Sequence, residues 1–224
     1  MIMFGIKKFL FRDAMPEHLP DDVQAGLAAW RASPAPALDE AHFHTRYLVV
    51  DIATSGPDPE TDRLFSIAAS AVHHSAIAPD DALYVDFSDL AAEEGGVVER
   101  RLLAFLRYAA KAPLVAYHVP YVSGFLMRAC KERLGVDFRP QWIDLAWLLP
   151  AMFGDKGSTV QPLDHWLEAF GLDAGSGRRN AMENALLLAR LLQMLLARAN
   201  NKEIDSAARL IAESRASSFL RRVS

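Results

Sequence analysis

The chain has 224 residues, 51% of them hydrophobic, which suffices for one domain with a substantial core and excludes a disordered or fibrous polypeptide. A net charge of −4 and an isoelectric point near 6.0 exclude the strongly basic balance of a general nucleic-acid binder, so any such contact has to come from a local basic patch. No apolar run approaches the roughly 20 residues of a membrane-spanning helix, and the start, MIMFGIKKFLF, lacks the apolar core and cleavage site of a secretory signal; a soluble, cytoplasmic protein without membrane contact is expected.

Met1 to Phe11 carries a weakly amphipathic pattern around Lys7 and Lys8 and reads as an arm packed on the domain or on a partner chain. Asp21 and Asp22 start a helix running to about Arg31, with Val23, Leu27 and Trp30 on one stripe, and Ser33-Pro34-Ala35-Pro36 ends it. Tyr47 to Val50 is the apolar run of a strand buried on both faces, and Asp51 interrupts it just before the turn residues Thr54-Ser55-Gly56-Pro57. Because strand side chains alternate, Val49, Asp51 and Ala53 share one face and Val50 and Ile52 the other. Leu64 to about Ser75 reads as a second strand and Ala82 to Phe87 as a third, paired antiparallel. His73 and His74, adjacent on a strand, face opposite ways and so do not chelate one metal.

Glu93 to Ala110 reads as a helix with Leu102, Leu103, Phe105 and Leu106 inward, Leu114 to Tyr117 as a short buried strand, and Gly124 to Leu134 as the next helix. Cys130, the single cysteine, is expected to be a small buried hydrophobe, compatible with a reducing compartment. Asp144 is placed to cap the helix carrying Ala146, Leu148 and Leu149. After a polar loop, Gly154 to Gln161, Pro162 opens a helix from Leu163 to Phe170 that ends at Gly171. Asn184, Leu188, Leu191 and Leu195 follow i, i+4, i+7, i+11 and mark the sheet-facing side of a helix reaching about Ala199. Glu203 to Ser214 is expected to be an amphipathic helix, with Ile204, Ala208 and Ile211 on one stripe, that covers the outer face of its predecessor; Ser217 to Ser224 is expected to fray.

Three stretches carry a resemblance. Asp51-Ile52-Ala53-Thr54-Ser55-Gly56-Pro57-Asp58-Pro59 resembles the first motif, D-x-E-T-T-G-L-x-P, of the DEDDh 3′→5′ exonucleases, the group that contains the epsilon proofreading subunit of DNA polymerase III. Leu114 to Cys130, LVAYHVPYVSGFLMRAC, is similar to the second motif, L-V-A-H-N-A-x-F-D-x-x-F-L, with His118 at the asparagine, Tyr121 at the phenylalanine and Val122 at the aspartate. Gly177 to Ala185, GRRNAMENA, is similar to the third, H-x-A-x-x-D-A, with Arg179 at the histidine and Asn184 at the last aspartate. The resemblance spans about residues 46–199. It implies a ribonuclease-H-like three-layer α/β fold, a mixed five-stranded sheet flanked by helices, with residues 1–45 as an N-terminal helical extension and 200–224 as a C-terminal helix and tail.

The resemblance also implies a site for two divalent metals held by four carboxylates, with a histidine as general base. Of that set the chain keeps Asp51 alone; Ala53, Val122, Arg179 and Asn184 stand at the other positions. Valine offers no oxygen to a hard cation, and an arginine that is always protonated cannot act as a base. No metal or other cofactor is therefore expected, and no working catalytic residue. Arg179 is expected to meet Asp51 as a fixed cation. Pro57, standing where the family has a leucine beside the terminal base, offers less reach.

The reading is a catalytically inactive exonuclease homologue with a binding or regulatory role. Its candidate partners are a DNA-processing protein, for which it would be a scaffold, and a nucleotide or single strand held weakly through Thr54, Ser55, Gly56, His118 and Arg179. His118 and Asn184 each remain open between a structural role and a ligand contact, and oligomeric state is left open. The alternative is an active or altered exonuclease acting on nucleic acid with Mg or Mn.

Overall fold

The computed structural model describes residues 19–88, 96–172, 175 and 177–223. Met1 to Phe11 and the expected helix start at Glu93 lie outside the described residues. The first helix, α1 (Asp21–Ala32), carries both aspartates in its first turn and buries Val23 and Leu27. It stops at Ser33, whose hydroxyl donates to Trp30 O at 2.6 Å, just before Pro34.

Three strands follow: β1 (Tyr47–Thr54), β2 (Leu64–His73) and β3 (Ala76–Asp86). Then come α2 (Val97–Ala109), β4 (Leu114–Ala116), α3 (Val119–Leu134), β5 (Trp142–Asp144) and α4 (Leu145–Met152). The chain closes with α5 (Leu163–Ala169), α6 (Ala181–Asn200) and α7 (Ala207–Val223). The five strands lie in the order β3-β2-β1-β4-β5, with β1, β2 and β3 antiparallel and β1, β4 and β5 parallel.

The alternation expected on β1 divides the core. Leu48, Val50 and Ile52 pack with α1, α2 and α3 on one face. Tyr47 and Val49 pack with α4, α5, α6 and α7 on the other. Asp51 and Ala53 therefore point into the α6 layer. The extensions are stitched together at the rim: Ala41 bridges Ser206, Ala208 N donates to Leu38 O, and the buried His42 ring lies between Tyr47 Oη at 2.5 Å and Ile204 O at 2.8 Å.

Four local expectations are corrected. The third strand begins at Ala76, not Ala82, because His74 and Ser75, with φ of 50° and 61°, make a two-residue hairpin turn without the usual Gly or Asn. Pro79 is accommodated because it lies on an edge strand, in a stretch, 78–81, that pairs with no residue of β2. The same turn rotates His74 back over His73, so the two rings stack at 3.7 Å between centroids instead of diverging. Helix α3 starts at Val119, five residues before Gly124, since Pro120 suits a first helical turn and Asp144 supplies a cap from across the sheet. Helix α7 starts after Ile204, at Ala207, and remains helical to Val223; it buries Ala207, Leu210, Ile211, Ser214 and Ser217 and packs chiefly on α4 and β5, not on the outer face of α6.

Asp144 does more than cap α4. Its carboxylate accepts Ala146 N at 3.0 Å, His118 N at 3.1 Å and Val119 N at 2.9 Å, while its own N–H donates to Ser214 Oγ on α7. One buried side chain thus satisfies the first turns of two helices at the ends of β4 and β5. Burial pushes its carboxyl above the usual range, opposed by those N–H donors. Asp144→Ala should destabilise the fold by about 2–4 kcal/mol, because three N–H groups lose their acceptor in a buried place. Asp144→Asn keeps one acceptor oxygen and should cost about half as much. Urea-unfolding midpoints compare them; equal losses would mean that the carboxylate is not acting as a shared cap.

Candidate functional site

The site grows from the junction of β1 with α6. Asn180 and Glu183 close a capping box: Asn180 Oδ1 accepts Glu183 N at 2.9 Å and Glu183 Oε2 accepts Asn180 N at 2.8 Å. This fixes the first turn of α6, so that Asn184 faces the sheet and donates from Nδ2 to Asp51 Oδ2 at 3.1 Å. Arg179 Nε donates to Asn184 Oδ1 at 2.8 Å, and Arg179 Nη2 pairs with Asp164 on α5. The result is a relay Asp51–Asn184–Arg179–Asp164 across β1, α6 and α5.

The expected direct pair of Arg179 with Asp51 is therefore corrected: an amide stands between them. Asn184 can serve both, since its oxygen takes the guanidinium N–H and its NH2 gives to the carboxylate. Sequence reasoning placed Asn184 and Arg179 but missed Asp164, for which no spacing gave a signal. It also missed the capping box, for which Asn-x-x-Glu before an apolar run was the available sign.

Around Asp51 the surroundings are apolar. Ala53 packs on Ala68, Ala181 and Ala185, the last three buried. Val122 is fully buried in the core shared with α2 and α3. Burial pushes the Asp51 carboxyl up from 3.8 to about 6, against the downward pull of the Asn184 bond, the Ile52 backbone N–H and the Arg179 charge.

The remaining candidate residues are engaged or lie apart. Thr54 Oγ1 donates to Gly56 O at 2.8 Å, so its 2.6 Å contact with Tyr121 is one in which the tyrosine hydroxyl donates. Ser55 Oγ donates to Asp62 Oδ1 at 3.1 Å and accepts Arg63 N at 2.9 Å. Arg128 holds Asp62 O, and a side chain at Gly124 would begin 2.8 Å from Pro59 Cβ, so the 55–63 loop lies directly against α3. His118 is exposed at the start of α3 with φ 59°, its ring edge-on to Tyr117 and bonded to no other group among the described residues.

A pair of divalent metals does not fit this arrangement. Among the described residues no three His, Cys, Asp or Glu side chains are grouped to hold an ion. The single carboxylate already accepts an amide backed by a guanidinium, and positions 53 and 122 offer only hydrocarbon. Cys130 is likewise unavailable as a ligand, being a buried free thiol pushed up to about 12 by burial.

A carboxyl that folding raises makes the native state bind more protons than the unfolded chain between about pH 4 and 6. Asp51 should therefore lower stability as pH rises through that window and level off above it. Asp51→Asn, which can still accept from Asn184, should be more stable than the unaltered chain by about 1–3 kcal/mol at pH 7, with the gain vanishing near pH 4. Urea denaturation at the two pH values decides it; an equal gain at both would mean that the carboxyl does not titrate on folding.

No family model matches the chain, and no curated protein sequence does. Solved structures do match. Escherichia coli exonuclease I in complex with a dT13 oligonucleotide aligns at TM-score 0.54 and 13% identity over 70% of this chain, which spans 42% of that enzyme. Cell-death related nuclease 4 aligns at TM-score 0.52 and 15% identity, over 70% of this chain and 66% of that one. The nuclease domain of 3'hExo bound to rAMP, a DEDDh family member, aligns at TM-score 0.50 and 15% identity, over 70% of this chain and 94% of that domain. Together with the sheet order and the placement of β1 against α6, these neighbours show that the chain has the ribonuclease-H-like fold of the DEDDh 3′→5′ exonucleases.

Proposed function

We propose that this chain is a catalytically silent exonuclease-fold module with a binding or regulatory role. The observation that carries the reading is the Asp51–Asn184–Arg179 relay: an amide and a guanidinium meet the one carboxylate where two-metal hydrolysis needs a cluster of anions. Val122 adds support, since a valine sealed in the core leaves no oxygen ligand at that position. The unit that carries the role is residues 46–199, with the described parts of the flanking segments, 19–45 and 200–223, packed against it.

The partner is a DNA-processing protein, for which the module is a scaffold. Exonuclease I was solved with an oligonucleotide, which supports a second, weak role for this chain toward a single strand or nucleotide. For Thr54, Ser55 and Arg179 to hold a phosphate they would have to exchange their present internal bonds, so that affinity is low and falls with salt. Among the described residues no helix is long and apolar enough to cross a membrane, and the one cysteine is an unpaired thiol, which supports a cytoplasmic site of action.

Two measurements test the silent cleft. Calorimetry with Mn²⁺ should show no micromolar site, and end-labelled single-stranded DNA or RNA should persist in the presence of Mg²⁺ or Mn²⁺. Stepwise shortening of the oligonucleotide that survives stringent purification and disappears in Asp51→Ala would overturn the reading in favour of an altered metal-dependent exonuclease.

A further inference from the structure

A second surface lies at the opposite edge of the parallel part of the sheet, where β5 meets the start of α3, α4 and α7. It is a concavity of about 260 Å³ whose walls include Pro120, Pro140, Trp142, Trp147, Arg215 and Ser218. Trp142 leans on the core, but Trp147, also half-buried, packs on none of the three core clusters. The part of the indole that stays exposed is apolar surface that a ligand could bury.

The hydrogen-bonding balance of this surface is one-sided. Among the described residues neither indole N–H of Trp142 and Trp147 has an acceptor, and Arg215 spends only Nη2, on Gln141 Oε1 at 2.8 Å. The acceptors on the floor are already used: the Asp144 carboxylate takes three N–H groups and Ser214 Oγ takes Asp144 N. What remains on offer is indole face, proline ring, the Ser218 hydroxyl and an excess of unspent N–H donors. The complementary ligand is apolar, rich in acceptors and poor in donors.

We propose that this face binds a proline-rich segment of a partner protein in the polyproline II conformation. Proline residues lack the N–H, present solvated carbonyl oxygens and lose little entropy on docking, which matches a surface of aromatic faces and free donors. At 260 Å³ the concavity falls below the about 300–1,000 Å³ of small-molecule pockets, and so suits a chain laid across it over an enclosed compound. A nucleic-acid strand fits less well. Such sites track the backbone with several cations, whereas among the described residues the one cation lining this concavity is a guanidinium partly committed to Gln141.

Decaproline titrated into the full chain, followed by tryptophan fluorescence and calorimetry, tests the proposal. Saturable micromolar binding is expected, weakened about fivefold or more by Trp147→Phe, which keeps a ring and deletes the N–H. Ser218→Trp, which fills the concavity from its rim, should abolish it. If Trp147→Phe does not fold, Ser218→Trp and Arg215→Ala, at helix positions outside the core, decide the question. Absence of saturable binding by the folded chain would overturn the proposal, as would binding unaffected by Ser218→Trp. Equal affinity for an alanine-glycine peptide of the same length would also overturn it. Tighter binding of oligo-dT than of decaproline would assign the face to nucleic acid instead. The outcome is independent of the silent cleft, which the Mn²⁺ and nuclease measurements read at Asp51.

Discussion

An anion on the central strand of a covered sheet has to be neutralised, and the architecture around Asp51 follows from how that is done. Taking a carboxylate out of water costs several kcal/mol unless a counter-charge or donors replace its hydration. Here the Asn184 amide, the Ile52 backbone N–H and a guanidinium one bond further away do so. The compensation is incomplete, because burial outweighs it and the carboxyl is raised to about 6. It is also demanding, since the amide must face β1, which requires the capping box to fix the first turn of α6. Arg179 in turn must be held toward Asn184, which Asp164 on α5 does from the exposed side. Strand, helix cap and neighbouring helix are thus set by one charge.

A second carboxylate, Asp144, is more fully buried and solves the same problem by another route. Asp144 accepts three backbone N–H groups from the first turns of α3 and α4, donors that would otherwise be orphaned where the helices begin. Its charge and the helix termini compensate each other locally, so no side-chain cation has to be brought in. The arrangement couples β4 and β5 to α7 through Ser214, and the His42 ring does the equivalent between β1 and the segment before α7. Two polar side chains therefore tie the C-terminal segment to the sheet, one holding α7 to the edge strand β5 and the other holding the chain before α7 to β1.

How much of this was legible depended on whether the cause was local. The β1 pattern, the register of Asn184 with Leu188, and Asp144 before an apolar run all state themselves within a few residues, and each was placed correctly. The type of turn at His74-Ser75 was not legible, because positive φ at two non-glycine residues is imposed by pairing of β2 with β3 and not by those side chains' preferences. The early start of α3 was hidden for a similar reason: its cap comes from residue 144, far along the chain. In the site, the resemblance placed Asp51, Arg179 and Asn184 near one another, but the sequence could not show that an amide would stand between arginine and aspartate. That depends on the distance between two packed layers.

Where a fold of this kind keeps its capacity to bind is a question of which donors are already spent. A ligand that meets a group already hydrogen-bonded inside the protein gains little, because one bond is exchanged for another. Thr54, Ser55 and Arg179 are in that condition: each is closed on a partner within the 55–63 loop, on α3, or in the relay. Those positions are thereby engaged, and the strand-end hydroxyls that resemblance marks for phosphate act instead as staples for the loop. At the β5 edge the balance is reversed. Two indole N–H groups and most of a guanidinium have no protein acceptor among the described residues, while the nearby acceptors are consumed by helix caps. Unspent donors beside partly exposed aromatic rings are where new contacts add free energy without breaking old ones, which favours the outer edge of β5 over the ends of β1 as the place for a ligand.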